Sequence, residues 1–599
     1  MFQDKTPKLS SNSNEKISSN SSKRRMKFFI KNRVTLEIRP NSLTNKLRLM
    51  KKYQYFISKA NFLKTDHPIE TYVCLKLSQL KIRDRAFRNI FNFAILNDNL
   101  HQISLPILNH IPNAKLNRTI TLCTKLSSNT QAFFKKIKRR LAKFSNVKAT
   151  FLGSLPDLYS PNFKSSFLSL KRTKLASFKL VLFQYFSGSG KKDLTPFLQA
   201  LRGFLFLREL SLNINHEMHL KDLDVFKSLA ACTKLNLLKI STFLDKQQNS
   251  KKSNNFLAKT KNPFRNLKDL RFRLTSKNQE FLKYLLSSNQ LQNIEIDIPQ
   301  SSVIFSNDVD CLSTEIAKKM KQSRLRSLKL NFGNLMLNDT LKSSIDSLFK
   351  NLQNLKQLSL TTEVQGIFPL FTKIAVVVLK NLISLELKCK ASKSEWEQFF
   401  AIEDQSSKNL ENLTLHLNES ISFQKLTNWF GKLTKLKALK LVFGHYQIIN
   451  ENELSLFITV LEKFQLLENL YLDLRDFQFD EKNNSKKQIK SQNIGQVLFR
   501  LQKLFQLTLY LPGGYLTDDI LKSLIRAFQK LTNLYYIELG GSFVKVNQKG
   551  VILIDDYLSS PFADKLISLE IIPWRCEHLE DFHFLQIIED FKNRLYSHI

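Results

Sequence analysis

Along the last three quarters of the chain, apolar residues fall into one short pattern that keeps returning: apolar-x-x-apolar-x-apolar. It stands as Leu207-Arg-Glu-Leu210-Ser-Leu212, and again as Leu325-Arg-Ser-Leu328-Lys-Leu330 and Leu410-Glu-Asn-Leu413-Thr-Leu415. Further copies start at Leu267, Leu291, Leu355, Leu382, Leu436, Leu467, Leu504, Leu534 and Leu566, with weaker ones at Leu175 and Leu235. The second half of each copy alternates apolar and polar residues, and a period of two means a strand with one buried face. Successive starts lie from 24 (Leu267 to Leu291) to 37 residues apart (Leu467 to Leu504), with a mean of about 30.

Between the strands the period changes. Leu521, Leu524, Ile525 and Phe528 stand at i, i+3, i+4 and i+7, the spacing of one helical face. Thr517 precedes them as an N-cap, with Asp518 and Asp519 in the first turn. Asn338 to Phe349 and Glu453 to Phe464 read alike. Each unit is therefore a strand followed by a helix. No unit of this size buries its apolar face alone, so neighbours must stack.

Fourteen copies at this spacing resemble the leucine-rich repeat family, in particular its longer ribonuclease-inhibitor-like type. The resemblance implies an α/β solenoid, a horseshoe whose strands line the concave face. The chain departs from the family at one place. The usual Asn or Cys three residues past the last leucine position is met only by Asn215 and Asn418, with residues such as Phe243, Pro299, Gly333 and Gly444 elsewhere. An irregular horseshoe is expected, with polar insertions at Asp245–Pro263 and Asp480–Gln492. The organisation read from the chain is a disordered Ser/Asn-rich basic tail over 1–27, a basic region of degenerate repeats or a capping subdomain over 28–150, and the repeat array over 151–599. Within 28–150, Val34–Ile38 and Tyr72–Leu77 look like strands.

In such a solenoid the residues between the buried strand positions point into the concave face. In chain order, the chemistry they offer comes from Asn213, Lys239, Arg271, Arg273, Glu295, Asp297, Lys329, Glu386, Lys388, His416, Lys440, Tyr471, Asp473 and Tyr510. With Glu538 and Glu570 added, the strip holds six Lys or Arg and six Asp or Glu. A trough that tracks phosphates needs one sign of charge along its length. A mixed polar strip with tyrosines suits protein recognition.

The net charge of +41 changes this picture only at the N-terminus. Residues 1–150 hold 31 Lys or Arg against 7 Asp or Glu, more than half of the excess. Lys135, Lys136, Lys138, Arg139 and Arg140, flanked by Phe133, Phe134 and Phe144, form a candidate patch for an acidic partner. Six scattered cysteines without C-x-x-C spacing point to a reduced, intracellular setting, cytoplasmic or nuclear. No run of about 20 apolar residues is present.

Catalytic and cofactor chemistry is not read. Ser187-Gly-Ser-Gly190-Lys191-Lys192 has Tyr185 and Lys192 where a phosphate loop needs Gly and Ser or Thr. Asp476-Phe477-Gln478 is no kinase motif, and Cys576-Glu577-His578 with His583 has no zinc spacing. The sequence reads as a non-enzymatic scaffold without cofactor or metal, binding a protein through its concave strip. Two alternatives stand beside it. One is a nucleic-acid-associated component held by the basic N-terminal region. The other is a ubiquitin-ligase substrate receptor, although Leu77 to Leu100 lacks the leading Leu-Pro of an F-box.

Overall fold

The computed structural model describes residues 26–30, 34–38, 91–95, 119–125 and 146–153, and then most of 174–575, with interruptions that include 183–200, 246–263 and 480–493. The basic patch at 135–140, both expected insertions apart from Asp245, the 72–77 segment and the 187–192 and 576–583 motifs lie outside the described residues.

One parallel sheet runs the length of the molecule, and its strands lie side by side in chain order. Fourteen of them, from Leu175–Leu182 to Ser568–Arg575, carry the fourteen copies of the repeated pattern. Three more precede these, Phe91–Ile95, Thr119–Lys125 and Asn146–Gly153, and pair in parallel with each other and with Leu175–Leu182. Among the described residues no ladder joins Ser568–Arg575 to Phe91–Ile95, so the sheet is open. Met26–Ile30 and Val34–Ile38 form a separate antiparallel hairpin.

Register follows from burial. Leu270, Ile294, Leu328, Leu358, Leu385, Leu413 and Leu439 are consecutive partners across the sheet, each 2% exposed or less. A slip by one residue would turn all of them to water. The backbone adds a clamp at each entry to a strand. The Arg326 carbonyl accepts from the amides of Lys356 and Gln357, both at 2.9 Å, and the Glu411 carbonyl from those of Lys437 (2.7 Å) and Ala438 (2.9 Å).

Helices return the chain along the opposite side. The Asp518–Lys530 helix starts on Thr517, whose side chain accepts from the Ile520 amide at 3.4 Å, and buries Leu521, Leu524, Ile525 and Phe528. Asp339–Lys350 buries Leu341, Ile345, Leu348 and Phe349. Lys393–Phe400 opens with a reciprocal cap between Ser392 and Glu395. Ile367–Leu379 starts at Gly366, whose φ of 90° is a left-handed conformation that a side chain would strain. Parallel strands stack about 4.8 Å apart and helices about 8–10 Å apart, so stacked strand–helix units curve with the sheet inside.

Aromatic side chains fill the space between the layers. Phe368, Phe399 and Phe400 surround Trp396, with the Phe368 ring at 4.4 Å, and Trp429 and Phe430 carry the stack into the next units. Trp396 and Trp429 are fully buried. Cys232 and Cys389 are buried here as small apolar groups, and burial pushes the Cys232 thiol up to about 12. This is the architecture of a leucine-rich repeat solenoid.

Asparagine joins neighbouring units, but from a place other than the family's usual one. Asn266, Asn381, Asn409 and Asn533 each stand immediately before the first leucine of a copy. Their side chains donate to the carbonyls of Thr233 (2.9 Å), Gln353 (2.8 Å), Lys380 (3.2 Å) and Gln502 (3.0 Å). Every one of these acceptors lies two residues before the first leucine of the preceding copy. Arg324 occupies the asparagine place before Leu325 and donates to the Asn289 carbonyl at the same register.

Candidate functional site

Strand pairing arranges the polar positions of the inner face as two rows. One runs Lys239, Arg271, Glu295, Lys329, Ser359, Glu386, Thr414, Lys440, Tyr471, Thr508 and Glu538. The other runs Arg273, Asp297, Asn331, Thr361, Lys388, His416, Val442, Asp473 and Tyr510. Asn213 lies toward the N-terminal end and is exposed. The other strip residues named from sequence are half-buried, except Asp473, which is 2% exposed. Row neighbours are 24 to 37 residues apart in the chain, so their contacts arise only once the sheet is built.

The first half of the strip forms an ionic mesh. The Arg271 guanidinium lies 3.5 Å from Glu295 and 3.7 Å from Asp297, and Lys329 reaches Glu295 at 3.4 Å. Asn331 donates to Asp297 at 3.4 Å. Burial lowers the affinity of Arg273 for its proton, opposed by the Asp297 charge. Each acid of this half stands beside a cation.

Farther along, Glu386 accepts from the Ser359 hydroxyl at 2.8 Å and pairs with Lys388 at 3.3 Å. Burial pushes the Glu386 carboxyl up, but the Ser359 hydrogen bond and the Lys388 and Lys329 charges outweigh it and hold the group below its ordinary range. His416 sits next to Lys388 in the same row, with its Nε2 buried and without a hydrogen-bond partner. Burial first, then the Lys388 and Lys440 charges, lower its pKa to about 4, against the pull of Glu386 and Asp473. At neutral pH this imidazole is uncharged.

Beyond His416 the strip becomes aromatic. The Lys440 ammonium lies 4.4 Å from the centroid of the Tyr471 ring. Tyr471 meets Tyr510 edge to face at 5.8 Å, and the Arg475 guanidinium lies 4.8 Å from the Tyr510 centroid. Arg475 also grips buried Asp473 with two bonds, Nε to Oδ1 at 2.7 Å and Nη2 to Oδ2 at 2.5 Å. The Tyr510 hydroxyl donates to Glu538, which also accepts from Thr508 at 3.3 Å. Burial, with the Asp473 charge behind it, pushes the Tyr471 phenol up to about 12.

Reading the strip by alternation leaves out Arg475, because it lies just past the end of its strand, Asn469–Asp473. Its sequence signal is the pair Asp473 and Arg475, an acid and a base two residues apart where the chain leaves the sheet. Phe477, in the segment resembling a kinase motif, is structural. It is 2% exposed, packs 4.8 Å from Phe443, and lies in the short strand Phe477–Phe479, which pairs with Gln447–Ile449. Among the described residues no group of three or more His, Cys, Asp or Glu could hold a metal, and no helix is long and apolar enough to cross a membrane.

No family model matches the chain, and no curated protein matches it. It is similar to chains of known structure from the mouse RP105/MD-1 complex (14% identity, 82% of this chain and 88% of that chain, TM-score 0.31) and from the yeast Rad7 and Elc1 complex (13% identity, 76% and 90%, TM-score 0.32).

Proposed function

We propose that the chain is a non-enzymatic scaffold that binds a protein partner across its inner face, using the strip between Lys388 and Glu538. The observation that carries the reading is the cluster of Lys440, Tyr471, Tyr510 and Arg475. Two tyrosines meet ring to edge with a cation on each, half-buried and fixed by rigid strands. Tyrosine and arginine lead the residues that dominate protein interfaces, because they bury large area at small cost in side-chain freedom. Alternating charge along both rows disfavours a phosphate chain as the ligand.

The test is purification of tagged full-length protein from its own cells, wild type beside a Tyr471→Ala, Tyr510→Ala variant shown to be folded by circular dichroism. Purification is repeated at low and high salt, with and without nuclease. A protein retained by the wild type through every treatment and lost from the variant is the expected result. Partners released by nuclease, or held equally by both, overturn it and turn attention to the basic N-terminal patch.

A further inference from the structure

Two charges of the strip lack a counter-ion among the described residues. Among the described residues Lys440 makes no ion pair within 4 Å, although the Tyr471 ring supports it. Lys388 and His416 lie beside it, but Lys388 is paired with Glu386 and the imidazole Nε2 is buried, so the open charge at this end is the Lys440 ammonium. Asp473, the acid nearest in sequence, is already taken by Arg475. Three strands along, Glu538 is held, among the described residues, by uncharged donors, the Tyr510 and Thr508 hydroxyls. Its ladder partner on the last strand is Glu570, another acid. The strip is therefore dipolar, positive around Lys440 and negative around Glu538, with two tyrosine rings between.

We infer that the inner face takes a segment of a protein partner that sets a carboxylate over Lys440 and a cation over Glu538. This rests on the protein-binding reading above and names the chemistry of the partner. The strands of Lys440 and Glu538 are three steps apart, about 14 Å across the sheet. An extended chain advances about 3.4 Å per residue, so its acid and base stand about four residues apart and point the same way. Apolar or aromatic side chains between them lie on Tyr471 and Tyr510.

The probe is a display library of random 12-residue peptides, selected on the immobilised full-length protein. The expected sequences carry Asp or Glu followed or preceded at four residues by Lys or Arg. Their binding falls at least tenfold with Lys440→Met and with Glu538→Gln, and is unchanged with Lys239→Met at the far end of the strip. Lys440→Glu, paired with a peptide whose acid is changed to Lys, restores binding, which a misfolded variant cannot do. Peptides that lose binding to the Tyr471→Ala, Tyr510→Ala variant but need neither charge overturn the dipolar reading and leave the protein-binding reading standing. Peptides that bind outside the strip, or none at all, overturn both. Competition by a uridine oligonucleotide but by no peptide assigns the face to nucleic acid instead.

Discussion

The two halves of the inner strip carry similar charges and use them differently. From Arg271 to Lys329, cations and acids neutralise one another across three strands. From Lys440 to Glu538, one pair is closed, Asp473 with Arg475, while Lys440 and Glu538 face tyrosines and hydroxyls. The difference teaches that charge balance, read from sequence, does not tell whether charges are spent internally. A self-neutralised mesh has little to offer a ligand. On the proposed reading, charges set against aromatic rings stay available to a partner, and that half is where it binds.

Both halves rest on one hydrophobic core, and the largest expected effect tests this. Trp396→Ala removes a fully buried ring from between Phe368 and Phe400 and should cost about 3–5 kcal/mol. In a stacked array each unit touches only its neighbours. Amide hydrogen exchange should therefore rise most in 360–430 and least at the array ends. Uniform loosening of both halves would show that they unfold as one body and weaken the contrast between them.

Within the second half, Asp473→Ala is next in size, about 1–3 kcal/mol, because it strips the bidentate partner from Arg475 at a buried site. Denaturant unfolding measures the loss. A crystal structure of the variant should show Arg475 off the Tyr510 ring. An unmoved guanidinium would mean that the ring, not the carboxylate, positions it.

A smaller, pH-dependent effect belongs to His416. Its pKa is about 4 in the fold against 6.5 ordinarily, so between these values the unfolded chain binds a proton that the folded chain refuses. Its contribution to stability is full above about 6.5 and is lost as pH falls toward 4. The melting temperature of wild type should drop faster than that of His416→Gln between pH 7 and 4.5. Parallel curves for the two proteins would place the imidazole in water rather than in the strip.

Much of this was legible in the chain. The alternation within each copy located fourteen strands, and i, i+3, i+4 spacing located the buried faces of the helices at Asp339–Lys350 and Asp518–Lys530. The strand Asn146–Gly153 went unread because Val147, Ala149 and Phe151 alternate without the leading leucine that marks the others. The asparagine ladder was also missed. The family's usual position lies after the strand, whereas the signal here, Asn directly before leucine, precedes it. The strip residues could be named, but not their pairing. Whether Lys440 meets a carboxylate or a ring depends on neighbours about 30 residues away and on which rotamer the packing leaves open. His416 is named as a strip residue from sequence, but only the sheet places two lysines near it and buries its own Nε2.

The smallest expected effect bears most directly on the contrast. Arg271→Met removes the cation shared by Glu295 and Asp297 while keeping much of the side chain's apolar length. Both distances are at the long end for an ion pair, the guanidinium is about a quarter exposed, and Lys329 stays to compensate Glu295. Pairs of this kind are worth about 0–1 kcal/mol, so unfolding should shift by less than that, and less again at high salt. Partner retention should not change. Lys440→Met removes an equal charge from the other half and should leave stability as little affected while abolishing retention. If the two substitutions weaken binding alike, the mesh is not spent on itself, and the inner face works as one surface from end to end.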